Sequence, residues 1–138
     1  AKAEHRAALA LFDALEATKE KATRTRAALL VQLKHALVKH ALTEENVLYP
    51  VLREAGEKGA ADKFNHEHGL VKDYLYQLGA LPKDAPAFLA RLGEFRRELE
   101  AHIREEEQSV FPALHARLSA RKNKAVTQAA NREGFLAA

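Results

Sequence analysis

The sequence predicts an all-α protein: an antiparallel up-down-up-down four-helix bundle with a short C-terminal helical extension. Three observations carry that reading. Apolar residues recur at helical spacing along most of the chain, while β-branched runs are few and hairpin dipeptides are missing. The interruptions are short, as expected when successive helices are antiparallel neighbours. The chain also repeats itself: His40-Ala-Leu-Thr-Glu44-Glu45-Asn-Val-Leu-Tyr49-Pro50 is echoed by His102-Ile-Arg-Glu-Glu106-Glu107-Gln-Ser-Val-Phe111-Pro112. An internal repeat of this length marks two related structural units.

The first helix is expected from about residue 3 to 18, with His5, Leu9, Phe12 and Leu15 on one face. No Pro or Gly breaks residues 1–49, so the first turn is placed in the Thr-rich stretch Thr18 to Thr25, because Thr caps helices well and fills them poorly. The second helix then runs from about 23 to 55, with Leu29, Leu30, Leu33, Leu37, His40 and Glu44 inward, and ends at Gly56 and Gly59. Pro50 removes a backbone donor near its end and predicts a kink there. The third helix is expected over about 60 to 78, with Phe64, His68, Val71, Leu75 and Leu78 on one face, closed by the turn Gly79-Ala-Leu-Pro82-Lys-Asp84. The fourth spans about 85 to 118, presents Phe88, Leu92, Phe95, Leu99, His102 and Glu106, and carries a second kink at Pro112. Residues 1–118 thus form the bundle, and 119–138 a basic extension with a short helix over about 120–134.

Composition narrows the chemistry. At 138 residues the chain is long enough for one well-filled core. It has no Cys, which excludes disulfides, thiolate metal sites, iron–sulfur clusters and thiol nucleophiles. Met and Trp are absent too, which would suit a protein that handles oxygen, although compositional drift explains it equally well. No apolar run approaches a membrane span, and no secretory signal pattern opens the chain, so a cytoplasmic protein without membrane contact is expected. The net charge of +3 gathers late, at Arg117, Arg121, Lys122, Lys124 and Arg132. No aromatic residue interleaves these charges, so a solvated segment is expected there, with no nucleic-acid partner.

The repeat carries the chemistry. A His and a Glu four residues apart share one helix face, and imidazole with carboxylate is a natural donor pair for a transition metal. Glu4-His5 precedes the first motif and Glu67-His68 the second: His5 and His68 are 63 residues apart, His40 and His102 are 62 apart. In an antiparallel hairpin, residues equidistant from the turn lie level. The midpoint of His5 and His40 falls at residues 22–23, in the first turn, and that of His68 and His102 falls at Ala85, just past Pro82. Two such hairpins would bring His5, His40, His68 and His102 together with Glu44 and Glu106. Two buried carboxylates need compensating charge, and two divalent ions supply it. Glu44 and Glu106 would bridge them, each ion would take two His nitrogens, and an oxo, hydroxo or water bridge would leave positions open for oxygen chemistry. His35, His66 and His115 are expected at the surface or behind the site, with His35 or His66 held open as a fifth nitrogen donor. Glu45 and Glu107 are expected to face solvent or to lie behind the donors. Tyr49 and Phe111 are expected to pack beside the site, where Tyr49 is also able to donate a hydrogen bond.

Taken together, His5, His40-x3-Glu44-Glu45 with Tyr49-Pro50, Glu67-His68, and His102-x3-Glu106-Glu107 with Phe111-Pro112 resemble the hemerythrin-like (HHE cation-binding) domain family over roughly residues 1–115. The resemblance implies a four-helix bundle holding two non-haem iron ions, with ligands at His5, His40, Glu44, His68, His102 and Glu106. Two departures stand out. Oxygen-carrying hemerythrins have a second His four residues after the one on the third helix, and here that residue is Lys72. The di-iron proteins of iron–sulfur repair share the four-His, two-Glu core but typically add a Cys-containing segment. The sequence is therefore closer to the wider bacterial hemerythrin-like group. Neither the Glu-x2-His spacing of ferritin-like sites nor the HExxH of zinc proteases occurs.

Three functions are compatible with that site: reversible binding of O2 or a related small ligand for storage, delivery or sensing; enzymatic scavenging of peroxide or nitric oxide; and iron handling under stress. The expected partner is thus a diatomic or peroxide ligand, and the expected assembly a monomer or homodimer.

Overall fold

The computed structural model describes residues 2–54, 56, 58–110 and 112, and it is helical almost throughout. Helix α1 is Lys2–Glu16 and α2 is Thr23–Thr43. A π turn, Glu44–Leu48, joins α2 to the short α3, Tyr49–Glu54. Helix α4 is Lys58–Ala80, α5 is Pro86–Glu105, and a second π turn, Glu106–Val110, continues α5. The two hairpins α1–α2 and α4–α5 pack through α2 against α4 and α1 against α5, which closes the four long helices into a bundle. The boundary expected at residue 118, the basic extension, His115 and the helix expected over 120–134 lie outside the described residues.

The first turn lies where the Thr-rich stretch placed it, for a different reason. Helix α2 begins after Ala22 with no side-chain cap. Thr18 instead sends its hydroxyl back to the Leu15 carbonyl (2.5 Å) and accepts a bond from Arg26 Nε (2.8 Å). Arg26 is 1% exposed. Its guanidinium also reaches the Thr18 carbonyl (3.2 Å) and the Lys83 carbonyl (2.6 Å), and it lies over the Phe88 ring. One buried cation thereby ties the α1–α2 turn to the α4–α5 turn. Lys83 adds a cap of its own, donating to the carbonyls of Leu78, Gly79 and Leu81 at the end of α4. Pro86 occupies the first turn of α5, where its missing N–H costs nothing. Gly56 takes φ 86° just after α3, a conformation that favours glycine. Gly59, expected as part of that stop, is already inside α4.

The interior changes character along the bundle axis, and a second apolar group of Leu48, Leu52, Ala61 and Phe64 is buried around Tyr49. Towards the turns sits the apolar core, where Phe12, Leu15, Leu33, Leu78, Phe88, Leu92 and Phe95 are fully buried. Phe95 meets Phe12 edge-on (centroids 5.2 Å) and stacks on Tyr74 (5.1 Å). Each such side chain contributes on the order of 1.5–3 kcal/mol by leaving water. Beyond this core, towards the other end, the inward positions of the same helix faces become polar: His5, His40, Glu44, His68, His102 and Glu106 are all buried.

The kink expected at Pro50 takes the form of a π turn placed just before it. A straight helix would drive the Pro50 ring against the Asn46 carbonyl. Here the ladder opens by one residue, and the Tyr49 N–H bonds back to the Glu44 carbonyl rather than to Glu45. Thr43 loosens the approach by bonding its hydroxyl to the Lys39 carbonyl (3.1 Å). The second π turn precedes the other aromatic-Pro pair in the same register.

Candidate metal centre

The four inward histidines are held by four helices and face one another through their Nε2 atoms. His5 Nε2 and His40 Nε2 are 3.0 Å apart. Glu44 Oε1 lies 3.1 Å from His40 Nε2 and 3.1 Å from His68 Nε2. Glu106 Oε1 meets His102 Nε2 as an ion pair that lacks hydrogen-bond alignment. Two donor groups result, each with its atoms within 4.8 Å of one another: His5, His40 and Glu106; and Glu44, His68, His102 and Glu106. Glu106 belongs to both.

Behind each imidazole stands a carboxylate. Glu4 accepts from His40 Nδ1 (3.0 Å), Glu45 from His68 Nδ1 (3.3 Å), Glu107 from His5 Nδ1 (2.6 Å), and Glu67 from His102 Nδ1. Each pair crosses between neighbouring helices. The four together run round the bundle, from α1 to α2, from the first π turn to α4, from α4 to α5, and from the second π turn back to α1. With Nδ1–H donated outward, each Nε2 is turned to the centre, where it offers a lone pair to a metal once any proton on it is displaced. Glu45 and Glu107 thus stand behind the donors, one of the two places expected of them, whereas the roles of Glu4 and Glu67 do not follow from the helix pattern. The signal was present, because each sits beside a histidine in both halves of the repeat.

The electrostatics of the cluster are set by burial and by the charges its members place on one another. Burial opposes charge on Glu44, but the His40 and His68 imidazoles outweigh it and hold its carboxyl down to about 2. Burial likewise opposes charge on His40, yet Glu44 and Glu4 raise it to about 9. His5 and His102 are lowered, chiefly by burial; for His5 the neighbouring His40 adds to this, and their own carboxylate bonds oppose it. A proton held on His40 and donated to His5 Nε2 satisfies that pair. Even so, Glu44 Oε2, His102 Nε2 and both oxygens of Glu106 are buried without a hydrogen-bond partner. Four buried polar atoms without partners are costly, and a cation among them would remove that cost. Imidazole and carboxylate are the donor types that bind divalent transition metals, so the residues present fit a metal.

The remaining sequence candidates lie elsewhere. His35 and His66 are exposed, so neither stands with the four inward imidazoles. Lys72 is exposed as well, which leaves the usual place of a fifth histidine without a donor. Tyr49 is buried, stacks on Phe64 (5.9 Å) and donates its hydroxyl to His68 Nε2 (3.1 Å). The π turn makes this possible, because its i→i−5 bond inserts one extra residue into the helix and turns Tyr49 to the face that Glu44 occupies. A cavity of about 20 Å³ adjoins the four histidines, walled on its apolar side by Ala8, Leu37, Ala41, Val71, Leu99 and Ile103.

The sequence model of the Hemerythrin HHE cation binding domain matches residues 1–114. The chain belongs to the hemerythrin HHE family. An uncharacterised hemerythrin-like protein of Schizosaccharomyces pombe is 40% identical over 86 residues, which cover 60% of this chain and 42% of that protein. A DNA nickase of a Nostoc species is 33% identical over 88 residues, covering 64% of this chain and 25% of the nickase. The match thus spans less than half the length of either curated relative. No solved structure matches the chain. The family assignment and the buried His/Glu clusters agree on a cation-binding domain. Among the described residues, no helix is long and apolar enough to cross a membrane.

Proposed function

We propose that this chain is a non-haem di-iron protein that binds O2 or a related small ligand for storage, delivery or sensing. The observation that carries the reading is the pair of donor groups sharing buried Glu106 beside a cavity of about 20 Å³. His5 and His40 would hold one ion and His68 and His102 the other, with Glu44 and Glu106 within reach of both. Two iron ions so held supply electrons in pairs and an open position for a small ligand. The cavity's size supports a ligand of a few atoms, since a space of roughly 10–15 Å³ already admits one water-sized molecule. Its apolar wall would exclude bulk water from that ligand. The four outer carboxylates hold the Nδ1 protons, so each imidazole stays oriented when the ligand state changes.

A second reading, enzymatic scavenging of peroxide or nitric oxide, is favoured by the exposed position of Lys72. Four inward imidazoles rather than five leave more of the metal coordination open to reaction. One experiment separates the two. Protein loaded anaerobically with ferrous iron is titrated with O2 and then stripped of it while its near-ultraviolet spectrum is recorded. A charge-transfer spectrum that appears and reverses supports reversible binding, whereas one that appears and persists, with turnover of added peroxide or nitric oxide, supports the enzyme. Failure to retain about two iron ions per chain overturns both.

A further inference from the structure

We propose that the Tyr49 phenol oxygen is a further protein donor of this centre, bound to the metal ion that His68 and His102 hold. The inference rests on the metal-site reading above and deepens it.

The argument begins with spacing. Two donors at right angles on an ion with bonds of about 2.1 Å lie about 3.0 Å from each other. The inward donor atoms keep that spacing before any ion is considered. His5 Nε2 to His40 Nε2 is 3.0 Å, and Glu44 Oε1 is 3.1 Å from both His40 Nε2 and His68 Nε2. Tyr49 Oη stands 3.1 Å from His68 Nε2, on the same inward nitrogen. It therefore occupies the position of a neighbouring donor as well as that of a hydrogen-bond donor.

The second step concerns what Tyr49 does once that nitrogen is taken. His68 Nδ1 is committed to Glu45 (3.3 Å), so Nε2 carries the lone pair available to a metal. When that lone pair is used, the Tyr49 hydroxyl, 1% exposed, keeps only the Glu44 carboxylate as an acceptor, and Glu44 is itself one of the groups able to hold the ion. With that carboxylate engaged by the ion as well, the buried hydroxyl is short of partners, and bonding to the ion supplies one.

The third step is the backbone. The π turn that accommodates Pro50 brings Tyr49 onto the inward face with Glu44, and π turns are frequent at functional sites. The repeat is asymmetric here, because the second motif has Phe111 where the first has Tyr49. Only one half of the bundle offers a phenol at this point of the motif, so the two metal positions become chemically different. The donor missing at Lys72 on α4 is thereby replaced from the neighbouring helix. On ferric loading the phenol O–H bond breaks as the oxygen–iron bond forms, the proton leaves to solvent, and no electron is transferred.

The test is spectroscopic. Wild-type and Tyr49→Phe proteins are loaded anaerobically with ferrous iron and oxidised with ferricyanide. Bound iron is counted, and the visible and resonance Raman spectra are recorded. The wild type is expected to show a visible phenolate-to-iron band with phenol ring modes enhanced on excitation into it. Tyr49→Phe keeps the ring packed on Phe64, and is expected to bind the same number of iron ions and lose the band. Iron bound without a visible band in the wild type overturns the proposal and leaves the metal-site reading intact. A band that survives in Tyr49→Phe overturns it in favour of another tyrosine. If the wild type binds no iron, both readings fall.

Discussion

Glu4 and His40 are 36 residues apart in the chain and 3.0 Å apart in the bundle, Oε1 against Nδ1. Both side chains are about nine-tenths buried, at 11% and 10% exposure. Glu4 lies next to His5, so α1 supplies one imidazole to the centre and steadies another from behind. Glu67, next to His68, repeats the arrangement on His102.

Removing this support is expected to weaken metal retention while the fold survives. Glu4→Ala and Glu67→Ala should each lower metal affinity about 10- to 100-fold, the usual effect of losing the carboxylate behind a metal-bound histidine. Competition against a chromophoric chelator measures it, with circular dichroism to verify that the helices remain. An unchanged affinity in both variants would mean that the outer carboxylates only pack.

Metal uptake should release protons and strengthen as pH rises. The metal-free protein holds a proton on His40, whose pKa is raised to about 9 by Glu44 and Glu4 against the cost of burial. A metal must displace that proton, so affinity is expected to rise by about tenfold per pH unit between pH 7 and 8. For the metal-free fold the signs are as follows. The His40 contribution is fully present below the unfolded value of 6.5 and is lost as pH rises through about 9. The Glu44 contribution is present above 4.5 and lost as pH falls through about 2. His5 and His102, being lowered, favour the fold above 6.5 and oppose it as pH falls below that value. Binding titrations at pH 6, 7 and 8 check the first statement, and urea melts of chelator-treated protein across pH check the rest.

Chelation should lower the melting temperature, because an ion that binds only the folded chain stabilises it by mass action. At a free metal concentration 100 times Kd the gain is about 2.7 kcal/mol, or roughly 10 °C for a domain of this size. Glu106→Gln, which alters the carboxylate common to both donor groups, is expected to abolish most of that shift. Differential scanning calorimetry with and without metal reads it directly.

Filling the cavity should separate ligand access from metal binding. Ala8 is 3% exposed and lines the cavity beside the histidines. Ala8→Leu is expected to slow the reaction of the ferrous protein with O2 at least tenfold and to leave the iron content unchanged. Overpacking should cost about 1–3 kcal/mol, so a stopped-flow trace is paired with a urea melt. An O2 reaction at the wild-type rate would place the ligand elsewhere.

At the far end of the bundle, Arg26→Ala should do the reverse. It strips hydrogen bonds from Thr18 and the Lys83 carbonyl in a buried place, and a loss of about 2–4 kcal/mol is expected in chemical denaturation. Metal stoichiometry at saturating metal should not change.

Much of this protein was legible in its sequence because the informative patterns are local. Helical periodicity decided the class, and the repeat with its mirrored midpoints decided that four histidines and two glutamates come level at one end. Those relations depend only on helix pitch and turn position. The pairing of Glu4 with His40, Glu45 with His68, Glu67 with His102 and Glu107 with His5 was not legible in this way, because it depends on how far each helix is rotated against its neighbour. Nothing in the sequence sets Arg26 apart from the other basic residues of α2, because its burial depends on the opposite turn supplying the Lys83 carbonyl. Tyr49 shows the division most sharply. The sequence by itself determined that an aromatic-Pro pair follows each His-x3-Glu and disturbs the helix there. Only the tertiary structure decided that the disturbance is a π turn aiming the phenol at His68, because the opened ladder is stable only where neighbouring helices bury what it turns inward.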